Sequence, residues 1–443
     1  MSEYVLSFAV FWGVWLLVPA LVDGWTTILG LIGVIIFHLK ERKKVTPLSY
    51  FPNVSVIIPV FNGADTLESC IRSINGQTYP TDRIEVIVVD NGSTDRTREV
   101  FLRATKKTTI KMSWQSIVGQ GKPWALNAGI HMSEGQYVIS LDCDVILAPD
   151  TIKLTIAKME SDPKLGAVTG FLEILPPSRT ASLEQRLLAR CEFLEYLTVF
   201  GVGRAYQSLM NSVYTLSGAY SVFRRDALLS TLMYNKNTVS EDTDITFQLY
   251  ERSPKFKIAI LPTAKIMLHP IESLSNLYTQ RVRWQRGQLE VSSRHERLLK
   301  RSASRLRGFT PSRSLIIDHT LSFPRFIWML FLPILTTFGY APSMLVTAYI
   351  VVYFFYLFIE LIWYFASYVF SDRDTKRRVL KHWLIVPLMP LYRIVIFFFR
   401  FSGFLLTMSE PGKWVVPVPT IQTRDGWREI SRRIRDRFEK TKP

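Results

Sequence analysis

The sequence predicts an α/β domain, its sheet parallel and covered by helices, joined to an α-helical transmembrane bundle. Three observations point there. Apolar residues make up 48% of the 443 residues but crowd toward the two ends. Basic clusters stand where the apolar runs stop, and the region between alternates short apolar strands with helical stretches. Composition therefore divides the chain between two solvents.

From Val5 to Leu39 Asp23 is the one charged side chain, and from Phe326 to Phe370 it is Glu360. A helix crosses the hydrocarbon with roughly 17 to 25 apolar residues, because lipid cannot satisfy exposed backbone groups. Val5 to Val22 meets that length; Trp25 to Leu39 is short. The Asp23-Gly24 pair reads either as a hairpin turn or as a kink in one long helix, and the hairpin is the expectation. No basic n-region or small-residue cleavage site marks a signal peptide. Phe326 to Tyr340 and Ser343 to Phe370 are the later expected spans.

The net charge is +17, but the basic residues sit at membrane edges: "LKERKK", "HERLLKRSASRLRGFTPSR" and "DRDTKRRVLK". That distribution follows the positive-inside rule and places the clusters, with the α/β region between them, in the cytoplasm. A solvated basic face accounts for any one cluster, less well for three. The patches hold almost no interleaved aromatic residues, so nucleic acid is not an expected partner. Cys70, Cys143 and Cys191 have no metal or redox spacing, as suits a reducing compartment.

Within the α/β region "VSVIIPVFN" is a strand continuous in its apolar character, hence buried on both faces. "DTLESCIRSINGQ" is the helix that follows, from Asp65 and Thr66 to Gly76. "IEVIVVDNGSTD" is a second strand running into a polar loop, and "YVISLDCDVIL" (137 to 147) a later one. Ligands of open α/β sheets bind beyond the carboxyl ends of strands, so Phe61-Asn62, Asp90-Asn91 and Asp142 to Asp144 should gather at one edge. Ser182 to Asn211 reads as an amphipathic helix that packs on the sheet or lies against the bundle; spacing leaves both open.

Asp142 and Asp144 stand two residues apart, where both can turn toward one cation, with Cys143 between them pointing away as filler. Such a pair suits Mg²⁺ or Mn²⁺, which take one or two protein carboxylates plus substrate oxygens. A solvated strand end explains it equally. "VSEDTDITFQLYERS" starts a helix with Ser240 at the N-cap. Glu241 and Asp242 then either serve the helix dipole, or Asp242 acts as a general base on an attacking hydroxyl. "YTQRVRWQRGQLE" as a helix puts Gln280, Arg283 and Trp284 at i, i+3 and i+4, on one face. A guanidinium fork and an amide suit diphosphate oxygens, and the indole suits a sugar ring; a juxtamembrane basic helix anchored by tryptophan is the plainer reading. "GQGKPWALNAG" is not a nucleotide-triphosphatase loop, since Pro123 follows Lys122.

In order, "VIIPVFNGADTLESCIRSI", "VIVVDNGSTDRT", "GKPWALNAG", "SLDCDV", "LSGAYSVFRRDAL", "SEDTDITFQL" and "QRVRWQRG" resemble the membrane-integrated family 2 glycosyltransferases, over roughly residues 54 to 290. That group contains cellulose, hyaluronan, chitin and poly-N-acetylglucosamine synthases. The resemblance implies a GT-A fold, with a Rossmann-like mixed sheet, in a cytosolic catalytic domain. It implies that Phe61 and Asp90 hold the uracil and ribose of a UDP-sugar with Lys122 nearby, and that Asp142 and Asp144 bind nucleotide and Mg²⁺ or Mn²⁺. Asp242 would be the catalytic base, and Gln280, Arg283 and Trp284 would grip the diphosphate and place the acceptor sugar. Asn91, Val145 and Ser240 depart from frequent aspartate, threonine and threonine; no carboxylate is lost.

The expected organisation is a transmembrane segment or pair over 1–40, the GT-A domain over 50–270, interface helices over 271–313, transmembrane and interfacial helices over 314–410, and a basic cytosolic tail over 411–443. "SLIIDHTLSFPR" (314 to 325) is too polar for a lipid-exposed span. Residues 382–408 are long enough to cross, but Arg393, Arg400 and two prolines interrupt them, and one crossing would put the basic tail outside. A re-entrant or interfacial course is therefore expected, with the tail as an amphipathic helix on the inner leaflet. The expected activity is inverting transfer from a UDP-sugar to a growing polysaccharide at the inner face of the plasma membrane, processive and coupled to export, with membrane lipid and accessory export proteins as partners. The alternatives are transfer of one sugar to a lipid carrier or lipid acceptor, and a non-catalytic nucleotide-sugar sensor or scaffold.

Overall fold

The computed structural model describes residues 19–41, 48–117, 121–298 and 329–409, together with 315, 323 and 327. A π-turn at Ala20–Gly24 leads into α1 (Trp25–Glu41). Then come β1 (Val54–Val60), α2 (Leu67–Asn75), β2 (Ile84–Asp90), α3 (Thr97–Thr105), β3 (Lys111–Ser116), α4 (Lys122–Met132) and β4 (Tyr137–Leu141). β5 (Val145–Leu147), α5 (Thr151–Ser161), β6 (Leu165–Ile174), α6 (Leu183–Glu195) and α7 (Gly203–Leu209) follow, the last two joined by a π-helical turn at Tyr196–Val202. β7 (Tyr220–Arg224), α8 (Arg225–Leu229), α9 (Glu241–Arg252), β8 (Lys257–Leu268) and α10 (Leu274–Arg294) complete the α/β region. Beyond it lie α11 (Pro342–Phe370), α12 (Arg373–Lys381) and α13 (Met389–Ser409).

The sheet order is β3-β2-β1-β4-β7-β6-β8-β5. β3 through β4 are parallel, joined by helical crossovers as parallel neighbours require. β1 is buried at every position, the mark of a strand covered on both faces. β7 runs antiparallel to both β4 and β6, and β5 antiparallel to β8, so the sheet is mixed. One core, with Ile58, Leu67, Val88, Phe101 and Ile156, lies beneath α2, α3 and α5; another, with Ile57, Leu126, Phe223 and Ile245, lies beneath α4 and α9.

Three expectations change. The run 137–147 is two strands, not one: β4 ends at Leu141 in the middle of the sheet, and the chain turns at Asp142 to reach β5 at its edge. Both flanks are buried, so the apolar pattern passes across the break. Asp23-Gly24 is not a hairpin: the chain passes through it as a π-turn continuous with α1, and the Tyr356 hydroxyl donates to Asp23 Oδ2 at 2.8 Å. With this partner, the buried carboxylate has no need of a turn to water. Within 326–340, Leu332–Phe338 forms a 3₁₀ stretch, ended by Gly339. The 314–325 segment, apart from two positions, and the 411–443 tail lie outside the described residues.

Among the described residues three helices are long and apolar enough to cross a membrane: Ala20–Lys40, Pro342–Phe370 and Trp383–Met408. The third runs as one helical rod rather than turning back on itself. It meets the α/β region along its length: His382, just before it, contacts Phe193, Tyr392 donates to Glu195, Arg400 donates to Gln285, and Gly403 abuts Val282. Between α11 and α13, α12 docks on the sheet. Arg378 pairs with Glu173 and donates to the Ile174 carbonyl at 2.6 Å, and Lys265 donates to Thr375 at 2.8 Å.

The amphipathic stretch after Ser182 serves both sides of the molecule. A capping box, Ser182 with Gln185, starts α6. Leu194 and Leu197 then pack in a cluster that joins Phe171 of β6 to Val34 of α1 and Ile385 ahead of α13.

Candidate active site

Phe61, Lys122, Asp142, Asp144, Asp242, Gln280, Arg283 and Trp284 line one cavity of about 1480 Å³. The walls continue into the helices with Thr26, Tyr353, Glu360 and Arg393. Such a volume exceeds the roughly 300–1,000 Å³ of an ordinary small-molecule pocket.

The sheet edge sets one wall. Asn62, at φ +51°, turns the chain out of β1, and its side chain accepts the Thr94 amide at 2.9 Å, tying the loops after β1 and β2 together. Phe61 stands exposed at that turn. Asp90 is not among the residues that line this cavity. It is buried opposite Val60, and its Oδ1 accepts the Ser93 amide at 2.9 Å, folding the carboxylate onto its own loop. Cys143, expected to point away, lines the cavity with its neighbours.

Lys122 enters from the first turn of α4. Its Nζ lies 2.7 Å from Asp142 Oδ1 and 3.3 Å from Glu241 Oε1, and donates to the Gly218 carbonyl at 3.3 Å. Burial would favour the neutral amine, but Asp142 and Glu241 outweigh it and hold the ammonium charged. Burial pushes Asp142 up to about 6, with Lys122 pulling down and the nearby Asp144 pushing up. Two carboxylates that repel each other are what a divalent cation relieves. Among the described residues no cluster of three His, Cys, Asp or Glu completes a protein cage, so the pair fits a metal that keeps substrate oxygens in its shell.

Asp242 sits at the tip of α9. Ser240 occupies the N-cap position without capping; its hydroxyl instead donates to Asp242 Oδ1 at 3.0 Å, and the Thr243 amide donates to that same oxygen at 2.7 Å. Oδ2 is left beside Gly218, where a Cβ would lie 3.2 Å from it. Opposite, α10 presents Gln280, Arg283 and Trp284 together, as their spacing predicts. Gln280 Oε1, Gln285 Nε2 and Gln288 Oε1 are buried in this wall without a hydrogen-bond partner among the described residues, which suits a polar ligand.

Sequence reasoning missed several residues here. Glu241 pairs with Lys122, and its place in the first turn of a helix concealed that. Gly287 lets α10 approach α9: a Cβ there would stand 2.4 Å from Ser240 Cβ. Glu195 meets Arg281 and Tyr392, partners too distant in sequence for any spacing rule.

Residues 55–231 match the family described as Glycosyl transferase family 2. The chain is 28% identical over 274 residues to a poly-beta-1,6-N-acetyl-D-glucosamine synthase of Staphylococcus aureus, covering 60% of this chain and 63% of the relative. It is 29% identical over 238 residues to the Staphylococcus epidermidis protein of that name, covering 54% and 55%. The chain thus spans less than two thirds of the curated relatives it matches. Its fold is similar to a mannosyltransferase of Pyrobaculum calidifontis solved with GDP-Man and Mn²⁺, with a TM-score of 0.54, 18% identity, and coverage of 79% of this chain and 97% of that one. The fold is thus a mixed Rossmann-like sheet of the GT-A kind continued by apolar helices, and within it residues 55–231 carry the match to Glycosyl transferase family 2.

Proposed function

We propose that the protein is an inverting glycosyltransferase that moves a sugar from a UDP-sugar to a growing polysaccharide at the inner face of the membrane, processively and with export. The observation that carries this reading is the shared cavity: acidic residues from α9 and from the loop between β4 and β5 face Gln280, Arg283 and Trp284, and the space runs on among α1, α11 and α13. The synthase names of the curated relatives support it.

The reaction is one in-line displacement at the anomeric carbon, which inverts configuration. Asp242 takes the proton of the acceptor hydroxyl on Oδ2, since Oδ1 is already engaged by Ser240 and Thr243. Arg283 and Gln280 bind the departing diphosphate, and preorganised donors of this kind stabilise charge as it develops. Asp142 and Asp144 would hold Mg²⁺ or Mn²⁺, which supplies charge neutralisation at the diphosphate. Trp284 offers a flat face to the acceptor sugar. Phe61 and Asp90 hold the uracil and ribose, and Asp90 also fixes the loop after β2 through Ser93.

α13 lies along the membrane interface rather than across it; contacts with the α/β region from Tyr392 to Gly403, and at His382 ahead of the helix, support this course. A crossing helix of that length would carry one end about 30 Å away. The α12 cluster, docked on Glu173, shares the cytoplasmic side with the catalytic domain.

The experiment is incubation of the purified protein with a panel of UDP-sugars, GDP-Man as a control donor, and Mg²⁺ or Mn²⁺, measuring nucleotide release and product length. Long chains from a UDP-sugar are expected. A product carrying one added sugar would reject the polymerase reading, and absence of release from every donor would reject sugar transfer.

A further inference from the structure

The geometry points to Glu195 as a positioning residue for the acceptor, acting through Arg281 on the indole of Trp284; this rests on the sugar-transfer reading above. Glu195 ends α6 at 4% exposure, where a lone carboxylate would be costly. Donors from two helices hold it there. Arg281 Nη2 of α10 lies 2.7 Å from Oε2, the Tyr392 hydroxyl of α13 donates to that same oxygen at 2.9 Å, and Arg393 Nη1 lies 3.6 Å from Oε1. Arg393 Nε in turn lies 2.9 Å from Glu360 Oε1 of α11. Two carboxylates and two guanidinium groups, drawn from four helices, balance in charge inside the cavity wall.

Stability alone is a poor reason for this arrangement. Well-packed apolar residues commonly replace a buried ion pair without loss. An ion pair does, however, fix the plane of the guanidinium, and that plane is put to use: Arg281 Cζ lies 4.4 Å from the centroid of the Trp284 ring. Phe200 meets the same indole in a T-shaped contact at 5.8 Å. The ring is held between a cation and an aromatic neighbour while remaining part of the cavity wall. Arg281 Nε, buried in that wall without a partner among the described residues, adds a donor beside the platform. Through Arg393 and Glu360 the same chain of contacts reaches the apolar helices, so the acceptor platform and the path beyond it share one set of charges.

The test uses the purified full-length chain as wild type, Glu195→Gln and Arg281→Lys. Sugar transfer is measured at saturating UDP-sugar against oligosaccharides cut from the wild-type product, and UDP affinity by titration. Glu195→Gln keeps the shape but weakens the hold on Arg281; Arg281→Lys keeps the charge but removes the planar stack. Both are expected to raise the acceptor half-saturation about tenfold while UDP affinity stays within about twofold. The role is overturned if acceptor half-saturation is unchanged in whichever variant folds, or if UDP affinity falls as far as acceptor affinity does. If wild type transfers nothing from any donor, sugar transfer itself is rejected and this role with it.

Discussion

Gly287 of α10 stands against Ser240 at the start of α9 so closely that a Cβ would lie 2.4 Å from the serine Cβ. The helix carrying Trp284 and the helix carrying Asp242 are set by this contact. Gly287→Ala must push the two apart, and overpacking of this kind costs about 1–3 kcal/mol. A misplacement near 1 Å can lower turnover by about a hundredfold. Turnover of Gly287→Ala should fall at least tenfold with UDP affinity largely kept, as nucleotide release and UDP titration can measure; turnover equal to wild type would separate this contact from catalysis.

A second tie between these helices is ionic. His295 Nε2 lies 3.1 Å from Asp244 Oδ1 and Nδ1 lies 2.9 Å from Glu251 Oε2, while Arg294 also reaches Asp244 at 3.2 Å. Burial would lower the histidine pKa, but the hydrogen bonds to Asp244 and Glu251 prevail and raise it. Burial would likewise raise Asp244, yet His295 and Gln248 hold it low. The histidine's stabilisation is complete below the unfolded value of about 6.5 and is lost as pH rises through its higher folded value. That of Asp244 is present above about 3.9 and is lost as pH falls through its lower folded value. Thermal unfolding of wild type against His295→Ala should therefore differ most at mildly acidic pH, by about 1–3 kcal/mol, and the gap should narrow on the alkaline side. A gap that widened with pH would contradict the ionic clamp.

If α13 lies along the interface, the basic tail after it stays on the side of the catalytic domain. A cysteine placed at Ser431 should resist an impermeant thiol reagent in intact cells and react once the membrane is opened. Labelling in intact cells would mean that α13 crosses.

Most of the site was legible because its chemistry is local. Asp142 and Asp144, Asp242, and Gln280 with Arg283 and Trp284 each lie within a few residues on one element, so period and strand-end rules brought them to one edge. The turn at Asp142 that splits 137–147 was hidden because both flanks are buried, and burial is all that an apolar run records. The Asp23 hairpin failed for a related reason. A membrane carboxylate reads as a turn until a partner is known, and Tyr356 lies far along the chain. Glu195 had no signal, since its partners come from α10 and α13. Ser240 was placed correctly at the N-cap, but its hydroxyl turned to Asp242, a partner two residues on rather than the helix amides.

The most direct measurement is turnover of a UDP-sugar by wild type and Asp242→Asn with UDP affinity determined in parallel. Loss of a general base typically costs about 10²–10⁴ in rate, so the variant should bind UDP as wild type does and transfer at or below about a hundredth of its rate. Near-normal transfer by Asp242→Asn with intact UDP binding would contradict the assignment of this cavity as the place where the glycosidic bond forms.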